Sequence, residues 1–279
     1  MASRVREEGR GERGEKARQS LPSPLSPRPS EYMVALAARE LSDYETVFVG
    51  IGLPNLACNL ARATHAPNLV LIYESGAVGA VPERVPVSIG DPALVTGSLM
   101  VCSMADVFQL FLQNGRIDVG FLGGAQIDRY GNINTTVLGP YDRPKVRLPG
   151  AGGAPEIAIH AKRTLVVTRL ERRAFPEYVD FTTSPGHRSH GSSRRELGMP
   201  GAGPVRVITD RGILDAEPEL GGELVLTAVY PGVKVEDVRA NVGWELRVRE
   251  PLTDVEPPGE EVLRVLREEL DPERRYLGE

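Results

Sequence analysis

The 279-residue chain carries 33 basic and 38 acidic side chains, a net charge of −5 with both signs interspersed, so it lacks the basic footprint of a nucleic-acid binder. Its 41% apolar content supports one large α/β domain or two small ones, and no apolar run reaches the roughly 20 residues that cross a bilayer. Cys58 and Cys102 sit in apolar settings without a CxxC spacing, which indicates neither a disulfide framework nor a zinc site and fits a reducing cytoplasm; the first residues lack the continuous apolar core of a signal peptide.

Residues 1–29 are rich in Arg, Glu, Gly, Ser and Pro and hold too little apolar surface to offset the entropy of ordering, so they read as a disordered tail. From Ser30 the pattern changes. Ser30 is placed to cap a helix through Tyr32, Met33, Leu36, Ala37 and Leu41, with Glu31 in its first turn. Thr46 to Val49 reads as a short buried strand that ends in Gly50-Ile51-Gly52-Leu53-Pro54-Asn55, followed by a helix with Leu56, Leu60 and Ala63. Leu69 to Tyr73 is a second strand, Ser103 caps a helix that ends near Gly115, and Ile117 to Leu122 is a third strand. Farther on, Thr164 to Val167, Val205 to Thr209 and Leu224 to Val229 read as strands, with a turn at Gly221-Gly222, and a charged helix covers Glu260 to Glu269. Helices alternating with short apolar strands predict one α/β domain over 30–279, with a mostly parallel sheet between helix layers.

Glu74 is the best clue to chemistry. It follows the non-alternating apolar strand Leu69-Val70-Leu71-Ile72-Tyr73 and precedes Ser75-Gly76. Such a strand is covered on both faces of a parallel sheet, and ligands gather at the carboxyl ends of those strands. The alternative is a solvated turn residue, the usual fate of an acid. Gly50 and Gly52 form a strand, glycine turn and helix unit that lets backbone amides approach a ligand. Its spacing is not GxGxxG, and no GxxxxGK[ST] occurs. A second loop, Gly150-Ala151-Gly152-Gly153-Ala154, follows the basic run Arg143-Pro144-Lys145-Val146-Arg147. Folded beside Glu74, it would offer oxyanion donors; alone it reads equally as a surface turn. His65, His160, His187 and His190 lack metal-ligand spacing, so no metal is expected. Ser75 and Ser184 lack the GxSxG elbow of serine hydrolases, and Trp244 reads as core or interface.

Taken together, six ordered stretches resemble the class I coenzyme A transferases, specifically the β subunit of the glutaconate CoA-transferase type. They are Val49 to Pro54, Tyr73 to Gly76, Phe121 to Asn134, Tyr141 to Lys145, Gly150 to Ala154 and Thr183-Ser184-Pro185-Gly186. The resemblance implies that Glu74 is the nucleophile and that Gly150, Gly152, Gly153 and Ala154 lie by the active site, with Gly50 and Gly52 as a further substrate loop. It implies a ping-pong reaction through a glutamyl-CoA thioester, with coenzyme A as a substrate and no tightly bound cofactor. Arg143, Lys145 and Arg147 stand as candidate contacts to CoA phosphates or a substrate carboxylate, or as a solvated basic run. The resemblance also implies an α partner of related fold, in a heterotetramer of two α and two β chains or larger. The amide-rich region Gln126 to Thr136 would serve the interface or the site, or Asn132 and Asn134 would only stabilise a turn.

Three rival functions stand beside transfer. A CoA-dependent ring-opening hydrolase of steroid degradation resembles the same fold, and the ESG glutamate is missing from that group. An acyl-CoA hydrolase would need only water as acceptor. A sugar-phosphate-sensing or regulatory module is the third, since fold does not fix function. The sequence does not name the acyl groups.

Overall fold

In the computed structural model, which describes residues 26–82 and 84–278, the central strands carry apolar side chains at successive positions because both faces of their sheet are covered. The strands are β1 (Thr46–Phe48), β2 (Val70–Ile72), β3 (Ala77–Val78), β4 (Met100–Val101), β5 (Val119–Leu122), β6 (Arg163–Val167), β7 (Pro204–Ile208), β8 (Gly212–Glu217), β9 (Glu223–Val229) and β10 (Val248–Asp254). They form one ten-stranded sheet in the order β10-β9-β8-β7-β6-β5-β1-β2-β3-β4. The middle, β7-β6-β5-β1-β2, is parallel throughout, while β3 and β4 on one side and β8 and β9 on the other add antiparallel pairs.

Neighbouring residues on each central strand enter opposite cores. Val47, Leu71 and Leu165 point into one apolar cluster, which contains the inward faces of α1 (Pro29–Arg39), α2 (Leu53–Thr64) and the C-terminal helix. Phe48, Ile72 and Val166 point into the other, with residues of the π-helical segment Val107–Leu112 that continues α3 (Met104–Asp106), and of α4 (Ala154–His160). Helices on both faces of a largely parallel sheet are the expected α/β arrangement. Two further helices are α5 (Val235–Arg239) and α6 (Glu260–Arg264), the latter continuing as a π-helical turn over Val265–Leu270.

One local reading changes, at the start of the first helix. Residues 1–25 of the segment assigned as a tail lie outside the described residues. The first helix opens at Pro29, whose fixed φ suits the first helical position, so Ser30 is inside it rather than capping it. The Ser30 hydroxyl instead donates to the Leu277 carbonyl at 2.6 Å, and Glu31 accepts from the Arg28 N–H at 2.7 Å. The helix expected from Ser103 is present and capped as read: Ser103 Oγ accepts from the Asp106 N–H at 3.1 Å, and the Ser103 N–H donates back to the Asp106 carboxylate at 3.1 Å. Trp244 is buried core, its ring 6.5 Å from that of Phe175.

Candidate active site

Glu74 occupies the tip of the turn that joins β2 to β3. Tyr73 before it is fully buried, and its hydroxyl accepts a 2.6 Å hydrogen bond from Asn55 on α2, which anchors the end of the strand. Burial pushes the Tyr73 phenol above its ordinary pKa. Ile72 and Tyr73 enter opposite cores, so alternation sends Glu74 toward the face covered by Val107–Leu112 and α4. The turn closes through the Gly76 N–H to the Tyr73 carbonyl at 2.9 Å and the Tyr73 N–H to the Ala77 carbonyl at 3.0 Å. Position 76 admits only glycine: its φ is +108°, and a Cβ there would stand 2.0 Å from the Cys102 carbonyl oxygen.

The second glycine loop does fold against this turn. A Cβ on Gly153 would lie 3.4 Å from Glu74 Oε1 and 2.4 Å from Phe108 Cζ, so the glycine backbone, the carboxylate and the aromatic ring meet at one point. Within the loop, the Gly150 N–H donates to the Thr135 carbonyl at 2.9 Å and the Ala154 N–H to the Ala151 carbonyl at 3.1 Å. Those two amides are therefore occupied in holding the loop itself. The N–H groups of Gly152 and Gly153 have no acceptor among the described residues, which leaves them free for a ligand. Glu74 likewise makes no hydrogen bond or ion pair to a described residue and is half-buried.

The first glycine loop is one strand away. Parallel pairing of Phe48 with Ile72 brings Gly50 out of the sheet at the level of Glu74. Nothing stands within 4 Å of a Cβ at Gly50 or Gly52, so this flank is open. Gly52 precedes α2 and its carbonyl accepts from the Leu56 N–H at 3.1 Å.

The basic run makes no ion pair with Glu74 among the described residues. Arg143, Lys145 and Arg147 are exposed on a ribbon in which Val137–Leu138 pairs with Val146–Arg147. Arg147 is held by Tyr141, donating to its carbonyl at 3.0 Å and lying 4.6 Å from its ring centroid. Lys145 lines a cleft of about 730 Å³ with Gly124, Thr168 and Arg169, beyond the carboxyl ends of β5 and β6. Among the described residues no three His, Cys, Asp or Glu side chains converge as a metal site would require.

The amide-rich segment holds its own turn. Asn132 donates to both Asp128 carboxylate oxygens and accepts from the Gly186 N–H, while Asn134 donates to Gln126 Oε1 at 2.7 Å and accepts from the Thr136 N–H. Burial raises the Asp128 carboxyl above its ordinary pKa, against the hydrogen bonds from Asn132 and the backbone. Thr183 of the Thr-Ser-Pro-Gly stretch accepts from the Thr135 N–H at 2.9 Å. Since Thr135 in turn receives Gly150, this network supports the glycine loop from behind. Sequence reasoning took Phe108 only as part of a helix. The available signal was its place in the first turns after the Ser103 cap, but its contact with residue 153 is long-range.

A doubly covered sheet with a carboxylate turn and glycine loops at its carboxyl edge belongs to the α/β enzymes that handle ligands at strand ends. The family model for coenzyme A transferase matches residues 30–241, and the chain belongs to that family. It is 51% identical to the β subunit of the 3-oxoadipate CoA-transferase of Pseudomonas knackmussii, over 85% of this chain and 91% of that one. The crystal structure of glutaconate coenzyme A-transferase from Acidaminococcus fermentans superposes with a TM-score of 0.84 at 33% identity, covering 91% of this chain and 99% of that chain. A cholesterol ring-cleaving hydrolase IpdB subunit of Rhodococcus jostii is 27% identical over 79% of this chain and 82% of its own. The chain is thus a CoA-transferase β subunit in family and fold, as the sequence motifs suggested.

Proposed function

We propose that this subunit transfers coenzyme A between an acyl-CoA and a free carboxylate by a ping-pong reaction in which Glu74 is the nucleophile. A Glu74 carboxylate oxygen attacks the thioester carbonyl; the carbon–sulfur bond breaks, and CoA leaves as thiolate, giving an acyl-glutamyl anhydride. The thiolate then attacks the glutamyl carbonyl, releases the first carboxylate and leaves a glutamyl-CoA thioester. An acceptor carboxylate runs the same steps in reverse, restoring Glu74 and delivering the new acyl-CoA, with no net proton consumed.

The observation that carries this reading is the position of Gly153 against Glu74 Oε1. Both tetrahedral intermediates place negative charge on an oxygen near that carboxylate, and the N–H groups of Gly152 and Gly153, which have no acceptor among the described residues, are the donors assigned to it. One such preorganised donor contributes about 3–4 kcal/mol to barrier lowering. The Phe108 ring forms an apolar wall there, which weakens competition from water for those amides.

The likeness to a 3-oxoadipate CoA-transferase chain supports a short 3-oxo dicarboxylic acid as acceptor, with the partner α subunit completing the pocket. Coenzyme A is a substrate here, not a resident cofactor, and the site is cytoplasmic. Borohydride reduction of the enzyme after incubation with 3-oxoadipyl-CoA tests the route, because it traps a glutamyl thioester as an alcohol on the peptide holding Glu74. An unmodified Glu74 peptide, with acyl-CoA consumed and free acid released, would favour hydrolysis by water instead.

A further inference from the structure

The glycine loop beside Glu74 is strung between two supports. At its front the Gly150 N–H donates to the Thr135 carbonyl at 2.9 Å, and the Thr135 N–H donates to the Thr183 hydroxyl, also at 2.9 Å. At its back the Gly153 carbonyl accepts from the Ile157 N–H at 3.1 Å, which fastens the loop to the first turn of α4. The approach of Gly153 to Glu74 is therefore set by how α4 sits against the Thr183–Gly186 turn.

One side chain bonds both elements. Arg194 is 8% exposed, and its guanidinium donates to five main-chain carbonyls. Nη2 reaches Ala158 at 2.7 Å and Ile159 at 3.3 Å, in the last turn of α4. Nη1 reaches Pro185 and Gly186, each at 3.2 Å, and Nε reaches Gly201 at 2.9 Å. The carbonyls of a last helical turn have no partner within the helix, and a cation there also meets their negative ends. No carboxylate pairs with Arg194 among the described residues, so main-chain dipoles alone offset a charge that is costly to bury. Burial draws its pKa down to about 10, which leaves it charged at neutral pH.

The surroundings fit a guanidinium and no other side chain. Five donors fixed in one plane match carbonyls on three separate segments, whereas a lysine ammonium has three donors on a single atom. Gly203 is close against the group: a Cβ there would stand 3.0 Å from Arg194 Cδ, Nε and Nη1.

We infer that Arg194 is a positioning residue for CoA transfer: by tying the end of α4 to the Thr183–Gly186 turn, it holds Gly153 at its place against the Glu74 carboxylate. The inference rests on the Glu74 reading above and adds to it a group that acts through the glycine loop. An arginine that only stabilised the fold would change how much protein is folded, and leave the rate per folded enzyme alone.

Rates are measured on the full chain assembled with its α subunit, with 3-oxoadipyl-CoA as probe, and are expressed per folded enzyme. Arg194→Lys should slow formation of the glutamyl-CoA adduct and lower kcat by about 10- to 100-fold, with KM within about threefold of wild type. Arg195→Lys, at the exposed neighbouring position, should behave as wild type does. In a Gly153→Ala background, Arg194→Lys should cost less than about threefold more, because both changes displace one loop. The Gly150 amide should exchange its hydrogen at least about tenfold faster in Arg194→Lys than in wild type. If Arg194→Lys does not fold, Thr183→Val takes its place, since it removes the acceptor of the Thr135 N–H at the other support; it should show the same fall in kcat with KM kept. A folded Arg194→Lys or Thr183→Val complex with wild-type kcat overturns the inference. So does an Arg194→Lys loss that multiplies in full with that of Gly153→Ala, or one that appears only as fewer folded molecules. A wild-type complex that forms no adduct sinks the Glu74 reading instead, and kcat with Gly150 exchange then still tests the tie.

Discussion

Gly153→Ala should disable catalysis without unfolding the chain, and the geometry sets the size of the effect. The backbone at position 153 has φ −84° and ψ −1°, which alanine adopts without strain. The new methyl would stand 2.4 Å from Phe108 Cζ and 2.8 Å from Cε1, whereas carbons in contact rest at about 3.5–4.0 Å. Ring and loop must therefore part by roughly 1 Å, a displacement that costs about 100-fold in rate when it misplaces a reacting group. The expected result is a kcat lowered about 100-fold, or about 2.7 kcal/mol of barrier, with KM for acyl-CoA changed by less than about threefold. Overpacking should cost about 1–3 kcal/mol of stability, read by urea denaturation. Adding Phe108→Leu removes the two ring carbons that clash and should recover most of the lost rate, so the pair is coupled rather than additive. Steady-state CoA-transfer kinetics on the assembled enzyme decide it. A folded Gly153→Ala enzyme with wild-type kcat, or a double variant no faster than the single one, would refute the reasoning.

Gly76→Ala meets backbone rather than a side chain, the Cys102 carbonyl at 2.0 Å, at a φ of +108°; it should destabilise by more than about 3 kcal/mol and be recovered poorly as folded protein, measured by denaturant titration. Glu31 is buried, which opposes its ionisation, yet its bidentate pairing with Arg267 at 2.7 and 2.8 Å and the Arg28 N–H leave its carboxyl below the ordinary pKa. A lowered folded pKa means stability that is present above the unfolded value of about 4.3 and is lost as pH falls through the folded one. Glu31→Gln should therefore cost about 1.5–3 kcal/mol at pH 7, and the gap to wild type should close below about pH 4; a pH-independent gap in melting curves would count against it. Lys145→Ala, at an exposed site lining the cleft beyond β5 and β6, should raise KM for acyl-CoA about fivefold with kcat unchanged, an effect that fades at high salt.

What the sequence made legible was what short-range pattern controls. The unalternating run before Glu74 required a doubly covered strand, and Ile72 and Tyr73 do enter opposite cores. Ser103 declared a helix start because its reciprocal bonds with Asp106 are local. The helix start at Pro29 was missed by two residues, since a serine beside an acid imitates a cap while the Ser30 hydroxyl in fact serves Leu277, far along the chain. The meeting of Glu74, Phe108 and Gly153 was legible only as a condition. Three segments tens of residues apart converge because parallel pairing sets their level and Val107–Leu112 and α4 share a face, and no local pattern encodes that. The same limit hid which amides of the glycine loop are occupied: the answer depends on Thr135 reaching Gly150. The antiparallel strands that close the sheet at β3 and β4 are only two residues each, too short to show a period.

Intact-mass spectrometry of the chain in complex with its α subunit, after incubation with 3-oxoadipyl-CoA, tests the central claim most directly. The expected result is an adduct of the mass of coenzyme A on this chain, sensitive to hydroxylamine and absent from Glu74→Ala. A complex that turns over acyl-CoA with no adduct on the wild-type chain, or that carries the same adduct on Glu74→Ala, would contradict the role given to Glu74.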